Sequence, residues 1–298
     1  MRTALTALAE ELRRLKTAGV QTVAVADESL ATLRAAVART SRAATSVQVR
    51  RPAGALKQAV VIEPEPAAVE AGPAAPVARV IDLPPGDKRT RWEALRALVT
   101  GDPTCRSNVR AGKKVVLGVG SLDARIMFIG EAPGADEEVQ GEPFVGPAGQ
   151  LLNRMITAMG IQRADVYIGN IMNWRPQLPV GPDGVQYGNR PPTQTEMAHC
   201  MPHLLAQIDV VQPAILVALG ATAAQGLLGS GTFKALGEVR GQWREFAGRP
   251  LMITYHPSYI LRNSTNRSKR LIWEDLLKVM EKAGLPISAK QQAYFTGK

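Results

Sequence analysis

The feature that most constrains the fold is an alternation of short apolar runs with amphipathic segments. The apolar runs lie at 114–119, 125–130, 166–171, 214–220 and 250–255, and they are typical of strands buried on both faces. Segments with apolar residues at helical spacing lie at 91–99, 149–160, 193–211, 221–228 and 268–284. This alternation predicts an α/β fold: a three-layer α/β/α sandwich with a central, mostly parallel sheet of about four strands.

Composition divides the chain into four parts. Residues 1–42 carry two segments with helical spacing and are predicted to form an N-terminal helical extension, which is a candidate docking site for a protein partner. Residues 43–86 are rich in Ala, Val, Pro and Gly and are typical of a flexible linker. Residues 87–284 form the predicted main domain, and residues 285–298 a C-terminal tail.

Charge and cysteine content narrow the class of protein. The net charge is +10, which favours a polyanionic partner, DNA or RNA first. Two cysteines are too few for a disulfide framework and are typical of a reducing compartment. Charged residues between Glu10 and Arg14 interrupt any signal peptide, and no apolar run approaches the ~20 residues that span a bilayer. We therefore expect a cytoplasmic monomer that does not associate with membranes.

Polar and aromatic residues follow three of the predicted strands. A glycine-rich loop containing Glu131 and Phe144 follows 125–130, Asn170 ends 166–171, and His256 follows 250–255. Ligands of parallel sheets bind at the carboxyl ends of the strands, so these side chains are candidates for one site. The first three have structural alternatives: a solvated acidic turn, a core phenylalanine, and an asparagine that satisfies nearby backbone.

Four segments in this order resemble family 4 of the uracil-DNA glycosylases. They are GEAPGADEE at 130–138, GEPFVGPAGQLL at 141–152, YIGNIMNWRP at 167–176 and HPSYILRN at 256–263. The resemblance covers roughly residues 90–282. It implies a DNA repair enzyme that flips uracil out of single- or double-stranded DNA and hydrolyses its N-glycosidic bond, leaving an abasic site.

The resemblance also implies roles for single residues in binding uracil. The backbone around Glu131 and Ala132 lines the base pocket, and Phe144 stacks on the flipped base. Asn170 reads the Watson–Crick edge of the base, and His256 hydrogen-bonds uracil O2 and stabilises the charge that develops there.

The water-activating group is less defined by the resemblance. Some relatives have an aspartate at the position of Ala132, where it orients the attacking water. In its place we predict Glu137 as the catalytic carboxylate, with Glu131 orienting the loop.

DNA contacts are predicted beside the motif that contains His256. The segment from Tyr259 to Asn263 is expected to enter the helix near the vacated base, with Leu261 or Arg262 as the wedge. Basic residues in and after this segment are expected to contact phosphates. The predicted DNA-binding residues are Tyr259, Leu261, Arg262, Asn263, Arg267, Lys269 and Arg270.

The chain departs from family 4 in its cysteines. Typical members bind a four-iron, four-sulfur cluster through four cysteines, whereas this chain has only Cys105 and Cys200. Trp174 stands at the position of a third cysteine, and Asn108 where a CxxC partner of Cys105 would fall. Two cysteines do not supply four thiolates, so we predict no iron–sulfur cluster and no other cofactor.

A pair of histidines is the other candidate for metal binding. His199 and His203 lie four residues apart on the predicted helix 193–211, and Cys200 lies between them. The sequence fixes no further ligand, so we predict a structural role for the pair and no metal site. Cys105 and Cys200 are at most remnants of cluster positions.

Two other functions remain open at this point. One is a superfamily member that acts on another deaminated base or traps DNA covalently. The other is a noncatalytic DNA-lesion binding protein that lost its activity together with the cluster.

Overall fold

The structure is a computed structural model that describes residues 81–296. The predicted extension 1–42 and most of the predicted linker 43–86 lie outside these residues. Residues 81–86 have no regular structure, and the first helix begins at Lys88. The helices are α1 Lys88–Gly101, α2 Pro103–Ser107, α3 Ala135–Gln140, α4 Pro147–Ala158, α5 Gln194–Val211, α6 Ala221–Leu228, α7 Pro257–Arg262, α8 Asn266–Lys282 and α9 Ala289–Gln292.

Six strands form one sheet in the order β1-β3-β2-β4-β6-β5. Their bounds are β1 Val119–Gly120, β2 Ile126–Gly130, β3 Tyr167–Asn170, β4 Ile215–Leu219, β5 Trp243–Phe246 and β6 Arg249–Thr254. The four central strands are mutually parallel, whereas β1 and β5 pair antiparallel at the two edges. The mostly parallel sheet is therefore confirmed, with six strands instead of about four.

Residues 114–119 do not form the predicted strand, because only Val119 belongs to the sheet. The backbone of the segment bonds to partners outside a strand ladder. The N–H of Val116 donates to the carbonyl oxygen of Asn173 at 2.8 Å, and the N–H of Gly118 donates to Gln207 Oε1 at 3.0 Å. Residues 116–118 are thus buried in an irregular segment in which individual backbone N–H groups have partners outside the sheet.

The edge strand β5 was not predicted. It pairs with β6 through a two-residue turn in which Ala247 and Gly248 have φ angles of 51° and 70°. Positive φ at both central positions is typical of a hairpin turn whose twist matches that of the strands. An alanine in the first of these positions is uncommon, so the turn had no clear sequence signal.

Two apolar clusters pack on opposite faces of the sheet, because successive side chains of a strand alternate between its faces. One cluster joins β-strand residues such as Met127 to Leu95 of α1 and Leu204 of α5. The other joins residues such as Phe128 to Leu152 of α4 and to Leu276 of α8. This confirms the three-layer sandwich. Within residues 81–296, the structure has no helix long and apolar enough to cross a membrane.

Candidate active site

A cleft of about 500 Å³ lies at the carboxyl ends of the central strands. It is lined by all five residues that were predicted to bind uracil, namely Glu131, Ala132, Phe144, Asn170 and His256. They lie at or after the ends of β2, β3 and β6, so the parallel topology brings together residues that are far apart in sequence. We call this cleft the strand-end pocket.

Gly130, the last residue of β2, permits the close packing of this pocket. A Cβ atom at Gly130 would lie 2.4 Å from Asn170 Oδ1 and 2.6 Å from Cζ of Phe144. Both distances are too short for nonbonded contact. The asparagine and the phenylalanine can therefore approach each other only across a residue without a side chain.

Phe144 is held in an unusual backbone conformation at the floor of the pocket. Its side chain is buried, its φ angle is 54°, and its ring centroid lies 5.6 Å from that of His256. The left-handed region is costly for a bulky residue and is maintained where surrounding structure fixes it.

Arg163 supplies part of that restraint, although sequence analysis did not identify it. Its guanidinium donates to the carbonyl oxygens of Pro143 at 2.7 Å and Phe144 at 3.2 Å. It also donates to Asn153 Oδ1 at 2.9 Å, which joins the loop to α4. Gly149 of α4 packs directly on this loop, since a Cβ atom there would lie 1.9 Å from the carbonyl oxygen of Phe144.

Asn170 presents an unsatisfied acceptor to the pocket. The residue is only 6% exposed, and its Oδ1 has no hydrogen-bond partner among residues 81–296. A buried polar atom without a partner costs roughly 1–3 kcal/mol. Because the residue also lines the cleft, the geometry indicates a ligand that brings a hydrogen-bond donor.

His256 caps the short helix α7 and is oriented by Ser258. The backbone N–H of Ser258 donates to His256 Nδ1 at 3.1 Å, so Nδ1 is an acceptor and the proton of the neutral ring lies on Nε2. Burial, with a contribution from the nearby Arg262 cation, lowers the pKa of His256 to about 4. At neutral pH the ring is therefore an uncharged donor.

Glu137, the predicted water-activating group, is instead tied to backbone. Its carboxylate accepts the N–H groups of Gly134, Val145 and Gly146, each at 3.0 Å. These three bonds join the start of α3 to the loop after Phe144. The structure thus gives Glu137 the loop-orienting role that the sequence interpretation had assigned to Glu131.

Glu131 has the environment expected of a reactive carboxyl group. It lines the strand-end pocket and is partly buried. Burial raises its pKa from the ordinary value, and a hydrogen bond with Thr222 opposes that shift. Perturbed carboxyl groups in clefts are candidates for proton transfer. Glu131 therefore replaces Glu137 as the candidate catalytic carboxylate.

The predicted DNA-binding residues lie on and after α7. Leu261 is 47% exposed, Asn263 and Arg267 are exposed, and Arg262 lies at the rim of the pocket. Tyr259 is half-buried and stacks on Tyr255, with ring centroids 4.4 Å apart. These positions are compatible with a surface beside the pocket that contacts DNA.

Two basic residues of that set are placed differently. Arg270 pairs with Glu274 at 2.9 Å and donates to the carbonyl oxygens of Gln292 and Tyr294. Its guanidinium therefore fixes the C-terminal segment and is not free to contact phosphate. Lys269 is half-buried beside an apolar cleft between α4 and α8.

A second cleft of about 580 Å³ lies along α1 and the segment that precedes β1. Its lining includes the basic residues Arg96, Arg106, Arg110, Lys113 and Lys114. It lacks the strand-end amide and imidazole groups of the first cleft. Although it is larger, it is therefore the weaker candidate for chemistry.

The two cysteines meet where α2 packs near α5. Cys105 and Cys200 are both buried, and neither forms a disulfide. The ring of Trp174 is buried here as well, 6.0 Å from that of His199. A cluster that requires four thiolates does not fit this set.

Asp102, and not Asn108, lies beside Cys105 on the side that faces α5. The side chain of Asn108 donates to the carbonyl oxygen of Thr104 at 2.9 Å and ends α2. Asp102 Oδ1 accepts from the N–H of Cys105 at 2.7 Å and is bonded to His199 Nε2 at 3.0 Å. We call the group formed by Asp102, Cys105, His199 and Cys200 the thiol corner.

Comparison with known proteins agrees with this geometry. Three relatives are each named type-4 uracil-DNA glycosylase. The relative from Thermotoga maritima is 43% identical over 165 residues, 55% of this chain and 80% of its own length. That from Saccharolobus solfataricus is 37% identical over 193 residues, 62% of this chain and 84% of its own length. That from Pyrobaculum aerophilum is 37% identical over 165 residues, 53% of this chain and 78% of its own length.

A family profile described as the uracil DNA glycosylase superfamily matches residues 117–277. The matched range contains every residue of the strand-end pocket that was predicted to bind uracil. The similarity to the relatives also extends over most of their length. The chain belongs to the uracil DNA glycosylase superfamily.

Proposed function

We propose that the chain hydrolyses the bond between uracil N1 and deoxyribose C1′ in DNA and leaves an abasic site. The observation that carries this proposal is the buried, unpaired Oδ1 of Asn170 in a pocket that also contains Phe144 and His256. The names of the relatives support the same activity.

Recognition of uracil depends on the pattern of donors and acceptors along its edge. Uracil N3–H is the donor that Asn170 Oδ1 lacks, and the amide of the same side chain can donate to uracil O4. Cytosine presents an acceptor at N3 and an amino group at C4, so both contacts would fail. Leaving such polar groups unpaired in a buried site discriminates strongly between substrates.

Departure of the base requires stabilisation of negative charge. When the N1–C1′ bond breaks, its electron pair leaves with uracil, and much of the charge develops on O2. A neutral His256 with its proton on Nε2 would donate to that oxygen. A single preorganised donor of this kind contributes about 3 kcal/mol to lowering the barrier.

The oxocarbenium-like sugar then requires water at C1′. We assign the orientation of this water, and acceptance of its proton, to Glu131, because Glu137 is occupied by three backbone N–H groups. The raised pKa of Glu131 makes its carboxylate a better proton acceptor than an exposed one.

Delivery of the base requires that the nucleotide leave the stack, at a cost of a few kcal/mol. Leu261 is an exposed apolar side chain on α7, the helix that His256 caps, and we propose it as the wedge that fills the vacated space. Arg262 and Arg267 would contact the flanking phosphates.

A cleavage assay on labelled oligonucleotides tests the proposal. The chain is incubated with single- and double-stranded oligonucleotides that contain one uracil, and abasic sites are then cleaved with alkali. We expect cleavage at uracil and none in a matched thymine oligonucleotide. An intact strand that stays tightly bound would instead support a lesion binder, and a persistent protein–DNA adduct would support covalent trapping. Oligonucleotides with hypoxanthine or xanthine test the alternative bases.

A further inference from the structure

The thiol corner contains three different metal-ligating groups that sequence analysis did not bring together. Asp102 Oδ, Cys105 Sγ and a ring nitrogen of His199 all lie within 4.8 Å of one another. Asp102 and Cys105 lie at the start of α2, whereas His199 lies on α5, almost a hundred residues away in sequence. Only the packing of the two helices shows that they form a group.

The chemistry of the group selects the ion. Thiolate, imidazole and carboxylate together are typical ligands of zinc, whereas calcium and magnesium prefer oxygen alone. Neighbouring ligand atoms on a tetrahedral zinc lie roughly 3–4 Å apart, given bonds of about 2.0–2.3 Å. The distance of 3.0 Å between Asp102 Oδ1 and His199 Nε2 is at the short end of that range.

We propose that the thiol corner is a mononuclear zinc site, with Asp102, Cys105 and His199 as ligands and Cys200 as the fourth. Cys200 is buried and directly follows His199 on α5, outside the three atoms that lie within 4.8 Å of one another, so binding would draw its thiol toward the ion. A tetrahedral site with two thiolates, one imidazole and one carboxylate would then close around the ion.

The surroundings of the two thiols are compatible with this role. Trp174 Nε1 is buried and has no acceptor within residues 81–296. A metal-bound thiolate is an acceptor suited to such a donor, and partners of this kind tune metal ligands.

The site is both anchored and accessible. The bond from the N–H of Cys105 fixes Asp102 at the start of α2, and the capping box between Thr193 and Glu196 fixes the start of α5. The side chains of His199 and Asp102 are 30% and 19% exposed, so a hydrated ion can reach them from solvent. The two cysteines are buried.

Metal loading of the whole chain tests the proposal without reference to DNA. The chain is purified under reducing conditions, stripped with a chelator and dialysed against zinc chloride, and its zinc is measured by mass spectrometry. We expect one zinc per chain. Replacement by cobalt chloride should give a thiolate-to-cobalt charge-transfer band and intense visible bands of a tetrahedral site.

Two ligand variants and one matched control sharpen the test. Asp102→Asn keeps an acceptor for the N–H of Cys105, so α2 retains its cap while the charged ligand is lost. We expect Asp102→Asn and Cys105→Ser each to weaken zinc binding at least about tenfold, since even the loss of an outer partner of a ligand costs 10- to 100-fold. Asn108→Ala changes the other end of α2 and should bind zinc like the unaltered chain.

Three results would overturn the zinc site. The first is failure of the unaltered chain to retain zinc or to show the cobalt–thiolate band. The second is unchanged affinity in both ligand variants while circular dichroism shows them folded. The third is iron with acid-labile sulfide in the purified protein. None of these results would contradict the proposed excision of uracil.

Discussion

The strand-end pocket and the thiol corner lie near the two ends of one buried segment, residues 170–174. Their side chains nevertheless suit different kinds of ligand. In the pocket, Asn170 Oδ1 is left without a partner and His256 is kept neutral. In the corner, Asp102 is bonded to His199 and to the N–H of Cys105, and the Cys105 thiol lies within 4.8 Å of both side chains. An unpaired acceptor beside a neutral donor indicates a neutral ligand in the pocket, whereas a carboxylate, a thiol and an imidazole close together indicate a cation in the corner.

The largest expected effect concerns His256. His256→Ala removes the donor to uracil O2, so single-turnover excision should fall about 10²- to 10³-fold. Zinc stoichiometry at the thiol corner should stay the same, because the two sites do not share residues. Excision within a few-fold of the unaltered chain would refute the role of His256, and loss of metal would refute the independence of the two regions.

Glu131 and Glu137 form a matched pair within the pocket. Glu131→Gln should lower single-turnover excision about 100-fold with little change in DNA affinity, because a proton acceptor is lost. Glu137→Gln should mainly lower the midpoint of thermal unfolding, because one carboxylate oxygen that accepts backbone N–H groups becomes a donor. The opposite pattern would restore Glu137 as the catalytic carboxylate.

Gly149 tests whether the strained loop depends on close packing. Gly149→Ala would place a Cβ atom 1.9 Å from the carbonyl oxygen of Phe144, so we expect a loss of about 1–3 kcal/mol in the free energy of unfolding and weaker uracil binding. Gly101→Ala is the control, since its Cβ would meet no described atom within 4 Å. That variant should be neutral or slightly more stable. Equal effects of the two changes would argue against the packing explanation.

The smallest expected effect concerns the pH dependence of the excision rate. An ordinary histidine would give an inflection near pH 6.5, but the lowered pKa of His256 moves its protonation to about pH 4. The excision rate should therefore show no histidine inflection between pH 5 and 8, and its fall in acid should come from protonation of Glu131, whose pKa burial raises. An inflection near pH 6.5 that disappears in His256→Ala would contradict this assignment.

The same shift has a consequence for stability. The unfolded chain binds the proton near pH 6.5, whereas the folded chain binds it only near pH 4. The unfolded state therefore holds more protons between these values, and the free energy of unfolding should fall as the pH is lowered through them. Chemical denaturation of the unaltered chain and of His256→Ala measures this difference.

Much of the fold followed from local pattern. The four central strands and the long helices have strong periodicity, and their apolar faces meet in the two clusters that the structure contains. The strand predicted at 114–119 was wrong, because an apolar run indicates burial but does not determine the hydrogen-bond partners of its backbone. The hairpin at Ala247 was not predicted, because its turn lacks the usual asparagine or second glycine.

The candidate site was predictable where chain order sufficed. Phe144, Asn170 and His256 could be located because the loop or strand end that contains each of them follows a predicted strand pattern. The roles of Glu131 and Glu137 could not be predicted from chain order. They depend on which of the two carboxylates accepts the backbone N–H groups of the loop after Phe144. Asp102 and His199 also gave no signal, because an aspartate before a short helix usually serves only as a cap.

The restraint of Phe144 by Arg163 bears on turnover. Because the guanidinium already bonds the carbonyl oxygens of Pro143 and Phe144, the floor of the pocket needs little ordering when a base arrives. The same preformed pocket would be available to free uracil and to a flipped nucleotide. We therefore expect product inhibition: released uracil should compete with DNA, and its departure should limit steady-state turnover more than the initial bond cleavage.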